Sequence, residues 1–198
     1  MEKINIIQTL ATMKKIILYL GLLISIGSCG PNIYFEQSQP INIEKESIFP
    51  KSLQGIYIDD KNDDFILIID ELTCEYRNKK VKGVDILGGF SKKGQLSDSI
   101  ILKNHEDHYF LNLKGDNEWY VIFISVQEGK KLTANFLDGE NEDKVEKLKK
   151  ITPVKEIFDI NGNIDRFVIN PTSIELEKML KRKMFSGEMT FTKQQKKE

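Results

Sequence analysis

The chain has 198 residues, with 29 Lys and Arg against 30 Asp and Glu and a hydrophobic share of 40%. That share excludes a disordered chain, and the length allows one domain with a substantial core. Two cysteines exclude a disulfide scaffold, and a formal charge of −1 lacks the basic excess of a nucleic-acid binder.

The strongest local signal lies near the N-terminus. Lys14 and Lys15 precede an apolar run from Ile16 to Ile26. The run is too short to span a bilayer, which takes about 20 helical residues, and fits the core of a signal peptide behind positive charge. It ends in Ile26-Gly27-Ser28-Cys29. An aliphatic residue, two small residues and a cysteine in this order resemble the lipobox of bacterial lipoproteins. The resemblance implies a signal peptide over residues 1–28, diacylglycerol transfer to the Cys29 thiol, and cleavage between Ser28 and Cys29. Each residue type has a chemical reason. The thiolate is the nucleophile that takes the lipid, and Gly27 and Ser28 let an extended backbone enter the peptidase. Translation is expected to start at Met13, which puts Met-Lys-Lys directly against the apolar core.

Cleavage would leave 170 residues with 26 basic and 29 acidic side chains, a formal charge of −3. Anionic head groups would then offer no attraction, and attachment would come from the acyl chains, each buried methylene contributing about 0.8 kcal/mol. Cys74 would be left without an intramolecular disulfide partner. Pro31, Pro40 and Pro50 punctuate a stretch without sustained periodicity, so residues 29–50 read as the lipidated cysteine and a flexible tether. Within it, Ile33-Tyr34-Phe35 is apolar for a tether and suited to docking on the domain. The resemblance bears on location as well, because no acidic run follows Cys29. That favours an anchor in the outer membrane facing the periplasm.

Residues 51–193 read as one β-rich globular domain. Leu53–Asp59 and Phe65–Ile69 are strands around a charged turn, and Leu72, Cys74 and Tyr76 alternate with Glu71, Thr73, Glu75 and Arg77 on the next. Ser99–Lys103, His108–Lys114, Glu118–Gln127 and Lys131–Leu137 follow with short polar separators, so consecutive strands should pair antiparallel. Trp119 to Ile124 has no polar face, which predicts a central strand covered on both sides. Glu142 to Lys150 predicts a helix with Asp143–Lys147 and Glu146–Lys150 pairs. Val154–Ile160 and Ile164–Ile169 predict a hairpin around Asn161-Gly162-Asn163, with Ile160 opposite Ile164, Ile157 opposite Phe167 and Asp159 facing Asp165. Thr172-Ser173-Ile174-Glu175 is a capping box opening a helix with Leu176, Met179 and Leu180 on one face and Gly187 at its end. Met189–Thr192 is a last strand, and residues 194–198 are a solvated tail. The expected class is mainly β (α+β): an antiparallel meander, curved or partly closed as a barrel, with two helices in the C-terminal third.

Candidate chemistry is sparse. His105 and His108 flank Glu106-Asp107 and read as a solvated hairpin turn rather than metal ligands, since structural zinc needs four donors. Asp60–Asp64 with Glu71 imitates a calcium loop, but Phe65 stands where glycine is needed; Asp159, Asn161, Asn163 and Asp165 imitate one on a hairpin. Cys74, beside Leu72 and Tyr76, reads as a small core residue. Gly55-Ile56-Tyr57 resembles the Gly-x-aromatic opening of lipocalin barrels, with Tyr57 where tryptophan is usual. These observations predict no catalytic residue, no metal and no cofactor beyond the lipid on Cys29. The expected function is a non-enzymatic binding or assembly module anchored in the cell envelope. Its partners would be the membrane and another envelope protein or a small ligand. A lipocalin-like carrier of an apolar ligand and an inhibitor or immunity-type lipoprotein are the alternatives.

Overall fold

Alternation of apolar and polar side chains organises the chain into strands, and the computed structural model describes residues 31–79, 91–106 and 108–195. The strands are β1 (Asn32–Phe35), β2 (Gly55–Asp59), β3 (Phe65–Ile69), β4 (Thr73–Asn78), β5 (Ser91–Gln95), β6 (Ile100–His105), β7 (His108–Lys114), β8 (Trp119–Gln127), β9 (Lys131–Leu137), β10 (Val154–Phe158), β11 (Ile164–Ile169) and β12 (Phe185–Lys193). Two helices, α1 (Glu142–Lys149) and α2 (Ser173–Lys181), complete the described elements.

All twelve strands join one mixed sheet that does not close into a barrel; its main path runs β10-β11-β1-β8-β9-β12-β2-β3-β4-β5. The expected hairpins β2–β3–β4 and β6–β7–β8–β9 are present and antiparallel. The meander is nevertheless interrupted twice. β12 inserts between β9 and β2, and β1 inserts between β8 and β11, which it joins in parallel. β8 is the branch point. One edge pairs with β7, while the other is shared between β9 at Phe123–Gln127 and β1 at Trp119.

The tether expected over residues 29–50 is corrected where the structure describes it. Asn32–Phe35 is an interior strand, with Ile33 and Phe35 buried, and Gln39 and Phe49 are buried after it. The prolines misled because they exclude a helix but leave a short strand free to form, and alternating Ile33 and Phe35 find the core. The unit that carries the sheet accordingly begins at Asn32. Cys29 and Ser28 lie outside the described residues.

Two apolar clusters lie on the two faces of the sheet. One gathers Phe35, Phe110, Val121, Phe167 and Ile169 under Val145 and Leu148 of α1 and Leu176 and Met179 of α2. The other gathers Phe49, Leu53, Tyr57, Leu102, Leu111, Leu132 and Phe191. β8 serves both, through Val121 and Phe123 on one side and Ile122 and Ile124 on the other, so the strand is covered on both faces. Trp119 itself is only partly buried at its start.

Local chemistry sets the helix limits. Asn141 caps α1, its side chain accepting from Lys144 N–H, and Thr172 and Glu175 complete the capping box of α2. In α1, Glu146 pairs with Lys149 at 2.9 Å rather than with the expected Lys150. α2 stops at Lys181, and Lys183 takes the left-handed turn (φ 52°) after it. Gly187 is instead inside β12, which is longer than expected at its N-terminal end. There it lies beside a bulge, with the Phe136 ring occupying the space where a Cβ would stand.

The β10–β11 hairpin has a different register from the expected one. Phe158 faces Ile164 and Ile157 faces Arg166, with a bulge between Ile157 and Phe158 and a five-residue loop over 159–163. The Asp159 carboxylate causes this. It accepts from the backbone N–H of Asn161 (2.8 Å) and Asn163 (2.9 Å), closing the loop around itself instead of facing Asp165.

Candidate functional site

Packing of the N-terminal segment against β6 and β7 produces the most heavily buried polar cluster described. Asn112 on β7 is fully buried, and its side-chain amide imitates a neighbouring strand. Its Oδ1 accepts from Gln39 N–H at 2.6 Å, and its Nδ2 donates to Gln39 C=O at 2.8 Å. Beside it the buried Lys103 ammonium donates to the carbonyls of Pro40 (2.8 Å) and Ser38 (3.1 Å). Desolvation holds Lys103 below the usual lysine range. Two carbonyls satisfy the ammonium and a carboxamide satisfies the Gln39 backbone, while the buried Gln39 Oε1 has no hydrogen-bond partner among the described residues. The cluster is a latch that seats residues 38–40 on the sheet, not a catalytic constellation. The only sequence signal was a lysine and an asparagine beside apolar neighbours, Leu102 before Lys103 and Leu111 and Leu113 around Asn112.

His105 and His108 are cross-strand partners at the β6–β7 turn, with Glu106 at φ 50° making the tight reversal. His105 Nε2 lies 4.0 Å from Glu106 Oε1. The His108 ring packs 4.9 Å from Phe123, so this residue is less solvated than a turn histidine was expected to be. Among the described residues no group of three or more His, Cys, Asp and Glu side chains is placed to hold a metal.

The acidic turn after β2 is used structurally. Asp59 is buried and accepts from Tyr76 Oη (2.8 Å) and from Lys61 N–H (2.9 Å). Burial, reinforced by this acceptor, pushes the Tyr76 hydroxyl up to about 12. Cys74 is half-buried against the second cluster, and burial raises its thiol away from the thiolate form. Tyr57 of the lipocalin-like Gly55-Ile56-Tyr57 is a core residue. Its hydroxyl donates to Leu53 C=O at 2.8 Å, and burial raises it to about 12.

A surface hollow of about 810 Å³ is lined by Gln54, Gly55, Ile56, Lys130, Lys193, Gln194 and Gln195. It opens between β2 and the end of β12 and is bordered by amides and two lysines. It is open to solvent rather than an enclosed cavity of the kind that buries an apolar ligand.

Outward-facing apolar side chains form the remaining candidate. Phe158, Ile160 and Ile164 are three of the seven exposed large hydrophobic residues described, and all belong to the β10–β11 hairpin tip. Ile160 is fully exposed (102%), and every residue from Phe158 to Asp165 faces solvent.

No family model, curated protein or solved structure matches this chain.

Proposed function

We propose that the protein is a lipid-anchored component of a bacterial cell envelope, processed between Ser28 and Cys29 and acylated on Cys29, whose β-rich domain is a binding or assembly module rather than an enzyme. One observation carries this reading: Ile26-Gly27-Ser28-Cys29 stands directly behind Lys14-Lys15 and the Ile16–Ile26 run. Compatible with it, among the described residues no helix is long and apolar enough to cross a membrane. The likeness to lipoproteins favours the periplasmic face of the outer membrane, and the module's partner is another envelope protein. The inhibitor or immunity type is one form that such a partnership takes. A lipocalin-like carrier of a small apolar ligand is the second reading.

Growth of a bacterial host with an alkyne fatty acid tests the anchor. The wild-type chain is expected to take the label and fractionate with membranes, and Cys29→Ser to lose both, since an alcohol does not replace the thiolate. Label retained on Cys29→Ser overturns the reading. Cross-linking of the tagged, lipidated chain in intact cells then separates a protein partner from a small ligand.

A further inference from the structure

We infer that the β10–β11 hairpin tip, through Phe158, Ile160 and Ile164, is a membrane-docking surface that lies in the bilayer interface beside the lipid anchor. The inference rests on the proposed acylation of Cys29 and comes from strand register and covalent reach. β1 runs parallel to β11 with Asn32 opposite Arg166, so the start of β1 points towards the hairpin tip. Ile164 is two residues beyond Arg166 in that direction, and the 159–163 loop continues past it. Only Gly30 and Pro31 separate Cys29 from Asn32. Three Cα steps of 3.8 Å span at most about 11 Å. An acylated Cys29 therefore cannot carry the domain away from the bilayer as a long tether would. Asn32 is held within about 11 Å of the anchored residue, and the hairpin tip, a few residues further in the same direction, is brought to the same surface.

The chemistry of the tip suits lipid rather than water. Phe158 and Ile164 are direct cross-strand partners and so share a face, and Ile160 projects from the loop between them. The two carboxylates at the tip have local donors. Asp159 accepts from the loop's own N–H groups, and Asp165 pairs with Arg166. With a mature formal charge of −3, attraction to anionic head groups is not the source of contact; apolar insertion of a few side chains is. The consequence is orientation. Lipid and hairpin together give the domain two points on the membrane. The Gly115–Asn117 turn, which precedes Trp119 and hence lies beyond the other end of β1, then points away from it.

The test uses the full chain, purified from a bacterial host, with acylation of Cys29 established first by the mass of its N-terminal peptide. A non-acylated Cys29 overturns the anchor reading itself and, with it, this inference. The acylated protein is reconstituted into vesicles of phosphatidylethanolamine and phosphatidylglycerol doped with a phosphatidylcholine that bears a diazirine in its acyl chain. After illumination, the peptide containing residues 158–164 is expected to carry lipid adducts and the peptide containing Asp116 none. Because each buried isoleucine or phenylalanine is worth at least about tenfold in partition, the triple variant Phe158→Ser, Ile160→Ser, Ile164→Ser should lose these adducts by about tenfold or more while Cys29 stays acylated. The substituted side chains are solvent-exposed, so the variant keeps the fold. Acylated protein without adducts on residues 158–164, or with equal labelling at Asp116, overturns the docking surface and leaves the lipoprotein reading standing.

Discussion

Asn112 holds Gln39 by both of its backbone groups, Oδ1 accepting the N–H at 2.6 Å and Nδ2 donating to the C=O at 2.8 Å. A side chain thus performs the work of a strand edge, and it does so where the chain between β1 and β2 crosses the buried face of β7. Removing it strands two buried backbone groups.

Asn112→Ala should accordingly cost about 1–3 kcal/mol per stranded group, a loss read by urea denaturation of the purified chain. Lys103→Met should also destabilise, because the carbonyls of Ser38 and Pro40 lose their donor. Its pH signature is distinctive. A lysine held below its usual pKa binds its proton less tightly in the folded state, so wild-type stability rises as pH climbs from the lowered value towards 10.5. Lys103→Met should lose that rise, and an unchanged pH profile would speak against a desolvated ammonium.

Tyr57→Phe separates burial from bonding. Its hydroxyl donates to Leu53 C=O, so the substitution should cost about 1 kcal/mol at neutral pH. A tyrosine raised to about 12 keeps its proton in the folded state, whereas the unfolded chain loses it near 10; stability therefore falls as pH rises between 10 and about 12. Tyr57→Phe should make that alkaline decline shallower by up to one proton, measured from the denaturation midpoint across the window.

Gly187→Ala should be costly although Gly187 has ordinary backbone angles. The added methyl would stand 2.1 Å from Phe136 Cε2. Overpacking of this kind costs about 1–3 kcal/mol, and Phe136→Ala in the same chain should recover part of it. Additive losses in the double variant would mean that the ring is not the obstacle.

The two histidines should differ. His105→Ala is expected to change stability by less than about 0.5 kcal/mol, as surface substitutions do. His108→Ala removes a ring packed on Phe123 and should cost about 1–2 kcal/mol. Trp119→Ala, at a partly buried strand start next to β1, should cost about 2–3 kcal/mol, short of a fully buried tryptophan. Chemical denaturation of the three variants decides both comparisons.

Much of the secondary structure was legible because it depends on neighbours in the chain. Period-two alternation marked β4, and Trp119–Ile124, apolar without a polar face, marked β8 as a strand covered on both sides. The capping box at Thr172 and Glu175 located α2. β5, with Ser91-Lys92-Lys93-Gly94, was not legible, since it is a strand by virtue of the β4 edge rather than of its own side chains. The hairpin tip was visible as sequence but misread in register, because the decisive contact is the Asp159 carboxylate with its loop N–H groups.

The anchor proposed at Cys29 is legible from the residues alone, since a signal peptide and lipobox are read as an extended chain before any fold exists. The segment after Cys29 is a different case. Pro31, Pro40 and Pro50 describe a tether equally as well as a strand and a latched loop. Folding makes the choice, through partners far away in the chain: Phe167 and Ile169 beside Ile33 and Phe35, Asn112 and Lys103 around residues 38–40. Burial of two alternating side chains and satisfaction of a buried amide are non-local free energies. Residues 29–50 taken alone do not contain them.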